Sequence, residues 1–302
     1  MKAIERIAPD VGWQPISFVN AYFVGHSGGP WVLIDSGLPD RATQIFETAE
    51  ARFGAGSRPE GIYLTHGHFD HAGSALDLAE RWDVPIFAHR LELPYVTGRA
   101  DYPPPDPTMG GAIAFLSRFM PYRRRDLRER IRELPSGPLL GLPDWEWIAT
   151  PGHSPGHVSF FRSSDRVLLA GDAFATMNMD SWIGLIGGKK ELARASAPFN
   201  MDWDATRESV KKLADLRPNV VGCGHGIPMR DGGLPERLQH FAERLRPPRH
   251  GRYATAPAVA NEAGIVRLPP APFDPVPLAT AGALLAAGIA LGSGYLEEQL
   301  RD

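Results

Sequence analysis

A single cysteine, Cys223, rules out any intrachain disulfide and every cysteine-cluster zinc site, and suits a reducing compartment. Excess charge is equally scarce. The 32 Lys and Arg nearly balance 35 Asp and Glu, and a net charge of −3 gives no field for a polyanion, so nucleic acid is not expected as a partner. The N-terminus, MKAIERIAPD, lacks the apolar core of a secretory signal; export is therefore not expected and a cytoplasmic location is. Disorder is excluded as well, because 302 residues with 43% hydrophobic and 22% charged side chains can bury a full core.

What the chain does have is histidine in one place. Ten histidines put about 0.2 in a seven-residue window by composition, yet Thr65-His66-Gly67-His68-Phe69-Asp70-His71 holds three and a carboxylate directly after the apolar run Ile62-Tyr63-Leu64. In an extended or turning backbone, positions 66, 68 and 70 project to one side and 71 elsewhere, so one loop can serve two adjacent ions. A regular helix could not, since residues two apart do not face each other. Gly67 lets the chain turn tightly between the first two ligands. Imidazole nitrogens with a carboxylate oxygen suit zinc, and iron or manganese is compatible.

Short strands at Ala3 to Ile7, Ile16 to Val24 and Trp31 to Ile34 predict an antiparallel meander, followed by a helix over about 41–53. Asp35 ends the last of these strands, either as a group supporting the metal ligands or as a turn aspartate. A helix over 72–82 and a strand over 84–88 follow the histidine loop, and His89 reads as structural. Residues from about 96 to 141 break the rhythm with Pro103-Pro104-Pro105 and a basic helix through Arg132, and read as an insertion covering one side of the site. Its arginines alternate with acids, as on a solvated face. Thr150-Pro151-Gly152-His153-Ser154-Pro155-Gly156-His157 is a tight turn that aims His153 inward, whereas His157 opens a strand and is expected to make a supporting hydrogen bond. The strand Val167 to Gly171 delivers Asp172, a carboxylate able to bridge two cations. After a helix over 203–216 and a strand over 219–221, Gly222-Cys223-Gly224-His225-Gly226 implies close backbone approach around His225, with Cys223 a small buried hydrophobe. Met177, Met179, Trp182, Ile183 and Leu185 are either an apolar substrate wall or ordinary core.

His-x-His-x-Asp-His, Thr-Pro-Gly-His-Ser-Pro-Gly-His, Gly-Asp and Gly-His-Gly, in this order, resemble the metallo-β-lactamase fold superfamily over roughly residues 1–246. The resemblance implies a mixed α/β fold, a four-layer αββα sandwich, here with a helical insertion and a C-terminal appendage. It implies that His66, His68 and His153 hold one divalent ion, that Asp70, His71 and His225 hold a second, and that Asp172 bridges them. A hydroxide between the two ions, most simply Zn2+, would attack the carbonyl of a small ester, lactone or thioester, with Asp70 also handling its proton. The carboxylate at 172 argues against a true β-lactamase. Phe174 stands where related lactonases place a tyrosine, which makes it a candidate substrate residue. One iron with oxygen as cosubstrate, or phosphodiester hydrolysis, are the alternative chemistries of the same pattern.

The domain is expected to end near 246, followed by a Pro-rich linker over 247–277 and an apolar helix over 278–302. The uncharged run 278–296 is just long enough to span a bilayer, and is read as a membrane anchor, a helix docked on the body or on a second copy of the chain, or a mobile tail.

Overall fold

The computed structural model describes residues 4–121, 126–127 and 129–276. The chain divides into two compact units, Met1–Pro270 and Ala271–Asp302, and the apolar run 278–296 lies outside the described residues. Two sheets organise the first unit. Seven strands, β1 (Glu5–Arg6), β2 (Val11–Ile16), β3 (Val19–Gly25), β4 (Trp31–Ile34), β5 (Ile62–Tyr63), β6 (Ile86–Ala88) and β7 (Ile131–Glu133), lie in sequence order, antiparallel from β1 to β4 and parallel from β4 to β7. The second sheet runs β11 (Val220–Cys223), β10 (Val167–Gly171), β9 (Val158–Arg162), β8 (Glu146–Ala149), with β10 and β11 parallel.

Strand side chains alternate between two faces, and here both faces are covered, so the strands read as unbroken apolar runs. Tyr22, Val24, Val32 and Ile34 of the first sheet meet Val158, Phe160, Val167 and Leu169 of the second in the central core. Their neighbours Phe23, Trp31 and Leu33 turn outward onto Ile45, Ala49 and Phe53 of α1 (Ala42–Phe53) and Leu78 of α2 (Ala75–Trp82). On the far side, Leu168 and Ala170 meet the later helices, which bury Val210, Leu213, Leu234 and Leu238. The result is the expected αββα sandwich.

α3 (Leu93–Val96) leads into the insertion, which holds α4 (Ala112–Leu116) and two single turns. The basic helix expected to run through Arg132 is corrected: Ile131–Glu133 is an edge strand, paired parallel to Ile86–Ala88, because burying Ile131 against the sheet outweighs the charge pattern around it. Arg123, Arg124, Arg125 and Arg128 lie outside the described residues. After β10 come α5 (Trp182–Gly187), α6 (Trp203–Asp215), whose Asp202 cap accepts from Asp204 N and Ala205 N, and α7 (Leu234–Arg244). The linker expected over 247–277 is corrected over much of its length. It contains α8 (Arg252–Thr255) and the hairpin β12 (Val259–Asn261) and β13 (Gly264–Arg267). Tyr253 anchors this segment, buried against Met109 and Trp203 with its hydroxyl donating to Pro104 O at 2.7 Å. Among the described residues, no helix is long and apolar enough to cross a membrane.

Candidate metal centre

Parallel strands concentrate loops at their C-terminal ends, and a crevice forms there. Asp35 follows β4, the His66 loop follows β5, Asp172 follows β10 and His225 follows β11, while His153 lies in the β8–β9 turn. Three groups result whose ligand atoms lie within 4.8 Å of one another: His66, His68 and His153; Asp70, His71 and His225; and His66, His71 and Asp172. His68 Nδ1 stands 3.0 Å from both His66 Nε2 and His153 Nε2. Asp172 lies between the first two groups, its Oδ2 3.5 Å from His153 Nε2 and 3.2 Å from His225 Nε2, its Oδ1 3.5 Å from His71 Nε2. Yet His71 Nε2, His225 Nε2 and Asp172 Oδ1 are buried without a hydrogen-bond partner of good geometry. Orphaned polar atoms cost stability unless something satisfies them, and imidazole nitrogens converging on a shared carboxylate fit divalent cations.

The far sides of the His66, His71 and His225 rings are fixed by partners, which set their tautomers. His71 Nδ1 donates to Asp35 Oδ2 at 2.8 Å. Asp35 also accepts from Thr65 N and from the Thr65 hydroxyl, and that hydroxyl, 3.1 Å from His66 Nδ1, is left to accept from it. One carboxylate thus reaches a histidine of each triad, directly at His71 and through Thr65 at His66. His225 Nδ1 donates to Phe18 O at 2.8 Å. His157 accepts from Asp172 N at 2.8 Å, so its proton sits on Nδ1 beside Thr150. His157 thus bonds the backbone at Asp172 and joins none of the ligand groups among the described residues.

Charge follows the same division. Burial, then repulsion from neighbouring histidines, pushes His66 and His68 well below the ordinary imidazole range. Burial likewise takes His153 down to about 4 and His157 to about 3. His71 is different: burial opposes its charge, but Asp172, Asp35 and Asp70 overcome it and hold its pKa up at about 10. A cation bound there displaces that proton, because only neutral imidazole ligates. Asp172 ionises against burial because His225 and His71 face it.

Close approach of the backbone at the Gly-His-Gly element is also present. A Cβ on Gly224 would overlap Asp172 Oδ1 and the His71 ring, so only glycine fits. Of the proposed apolar wall, Met179 lines the small cavity over the cluster, together with Phe18, Ile113, Met120 and Phe199. Met177 is buried beside Ile113, while Trp182 and Ile183 point to solvent. Phe174 is corrected as a substrate candidate. It is fully buried among Leu213, Leu234 and Phe241 on the outer side of the second sheet. His89 packs on Trp147, and Cys223 is buried core; neither is in a ligand group among the described residues.

One residue that links the loops of the site was not read from the sequence. Glu92 is fully buried and accepts from Gly67 N at 3.0 Å, Ser154 Oγ at 2.7 Å, Gly156 N at 2.8 Å and the Tyr102 hydroxyl. It ties the His66 loop, the His153 turn and the insertion together. Glu92→Gln keeps the shape but turns an amide NH2 toward groups that need an acceptor. A loss of about 2–3 kcal/mol of stability and a roughly 10–100-fold weaker metal affinity are expected. Thermal unfolding and metal titration check both, and unchanged affinity would show that Glu92 braces the fold alone.

Comparison with known proteins agrees with this geometry. A probable metallo-hydrolase, YflN, of Bacillus subtilis is 42% identical over 234 residues, which cover 76% of this chain and 89% of the relative. A hydroxyacylglutathione hydrolase of Acidiphilium cryptum is 30% identical over 282 residues, 93% of this chain and 88% of the relative. A solved B3 metallo-β-lactamase superposes with a TM-score of 0.56 at 19% identity, covering 81% of this chain and 89% of that one, which shows the fold alone. The family model described as the metallo-beta-lactamase superfamily matches residues 15–225, a span that takes in every candidate ligand from His66 to His225. By its sequence as by its sandwich, the chain belongs to the metallo-β-lactamase superfamily.

Proposed function

We propose that this chain is a dinuclear metal hydrolase, zinc being the first choice of ion, acting on a small uncharged ester, lactone or thioester. The observation that carries the reading is the pair of ligand triads on either side of Asp172, with buried nitrogens and an oxygen that no protein group satisfies. Two cations, when bound, supply what side chains cannot: they bring the pKa of water toward 7 and polarise a carbonyl. His66, His68 and His153 would hold one ion, Asp70, His71 and His225 the other, and Asp172 both.

The remaining work belongs to the chain. Asp35 and Glu92 keep the ligand loops in register before substrate arrives. Asp70, which lines the cavity with an oxygen 3.5 Å from His225 Nε2, is placed to take a proton from the attacking water and return it to the leaving oxygen or sulfur. Phe18, Ile113, Met120, Met179 and Phe199 exclude water and favour an apolar acyl group over a polyanion. A relative named as a hydroxyacylglutathione hydrolase, aligned over most of both chains, supports acyl substrates.

The test is a panel of ester, lactone, thioester, phosphodiester and β-lactam substrates assayed with stripped and zinc-reconstituted protein. Hydrolysis of an ester, lactone or thioester is expected, and only after reconstitution. Oxygen uptake by an iron-loaded protein that hydrolyses none of them would replace the reading with an oxidoreductase.

A further inference from the structure

The rim of the cavity bears an apolar surface that a small soluble ester does not require. α4 and the stretch leading into α5 run side by side, with Ala112 N donating to Asp180 O at 2.9 Å and Ile113 N to Met179 O at 3.2 Å. Ile113 and Met179 face the cavity. Their neighbours face solvent: Phe115 is 43% exposed, Phe119 77%, Trp182 51%, Ile183 81% and Ile186 84%. These are one patch and not scattered residues. The Phe115 ring lies 6.3 Å from that of Phe119 and 6.1 Å from that of Trp182, and Trp182, Ile183 and Ile186 share a helix face at three- and four-residue spacings. Single exposed apolar residues need no explanation, but a contiguous patch at a cavity mouth does.

Cations border it. Arg118 sits between the two phenylalanines with its guanidinium 5.4 Å from the Phe115 ring centre, and α5 leads into the exposed Lys189 and Lys190. Nearby acids are engaged, Asp180 by Arg194 at 2.6 Å and Glu191 by Lys189 at 3.0 Å. Arg118, Lys189, Lys190 and Arg194 against Asp180 and Glu191 leave the described part of this rim with more cations than acids.

We propose that the face formed by Phe115, Phe119, Trp182, Ile183 and Ile186 docks on an anionic lipid bilayer. Aromatic and branched side chains ringed by Lys and Arg are the set that enters the headgroup boundary, the apolar groups in the acyl region and the cations on lipid phosphates. A second copy seated symmetrically on the same face would set these cations against each other. Docked this way, the protein turns its cavity mouth to the lipid, and an amphiphilic acyl substrate enters from the bilayer.

The test is co-sedimentation of the full chain with vesicles of equal parts phosphatidylcholine and phosphatidylglycerol, and with phosphatidylcholine alone. Partitioning about tenfold stronger to the anionic vesicles, weakening with salt, is expected. The double variant Ile183→Ser, Ile186→Ser should cut it about tenfold with its circular dichroism unchanged, and Lys189→Glu with Lys190→Glu should abolish the anionic preference. Vesicle binding by the isoleucine variant equal to that of the parent would assign binding to another segment, such as 278–296, and overturn the proposal. So would a dimer that the same substitutions dissociate, without vesicle binding. No readout uses turnover, so loss of the hydrolase reading would leave this result interpretable.

Discussion

Asp172→Asn is expected to lower hydrolysis by more than about 100-fold, beyond the roughly 10–100-fold that an outer-shell partner costs, and to leave the fold intact. The carboxylate is the meeting point of the two triads: Oδ2 faces His153 and His225, Oδ1 faces His71, all within 3.2–3.5 Å. An amide replaces one of those oxygens with an NH2 that cannot ligate a cation, so in the proposed centre one ion would lose its shared ligand. The backbone is held independently, through His157 on Asp172 N and the pairing of β10 with β9 and β11. Metal content falling from two to at most one per chain, with an unchanged circular dichroism spectrum, would accompany the lost activity. Parent-like turnover from Asp172→Asn would mean that the carboxylate bridges nothing.

Metal loading is expected to be the largest single contribution to stability at the site. His66, His68 and His153 converge three nitrogens in the interior, and His71, His225 and Asp172 each keep a buried atom without a partner. Bound cations would satisfy these atoms in the folded chain and far less in the unfolded one, so binding would add directly to folding free energy. At a metal concentration about 1,000 times the Kd, the gain is about 4 kcal/mol, or on the order of 10 °C in Tm for a chain of this size. Calorimetry before and after chelation, and again after zinc is restored, measures it. A Tm that ignores the chelator would place the stability of the His66 loop elsewhere, in Glu92 and Asp35.

How much of this was legible in the sequence depends on what each residue acts through. The residues that converge at the site were, because imidazoles and carboxylates clustered after strands have few other uses, and Asp172 and His225 each follow an apolar run. The layered core was legible too, since runs such as Trp31-Val32-Leu33-Ile34 can only be buried on both faces. Glu92 was not. Its partners are two backbone N–H groups, a serine and a tyrosine, 10 to 64 residues away, and such contacts leave no local pattern. β7 was hidden by the arginines in and before it and by its three-residue length, and the segment around Tyr253 by the prolines that follow it. Phe174 failed for a geometric reason: two residues after Asp172 the chain has turned, and the ring enters the layer beneath Phe241.

The most direct measurement is elemental analysis of the purified chain with ester turnover recorded on the same sample at graded zinc loading. Two divalent ions per chain, with hydrolysis rising only as the second site fills, is the expected result. Full turnover at one ion per chain or none would contradict the dinuclear centre around Asp172.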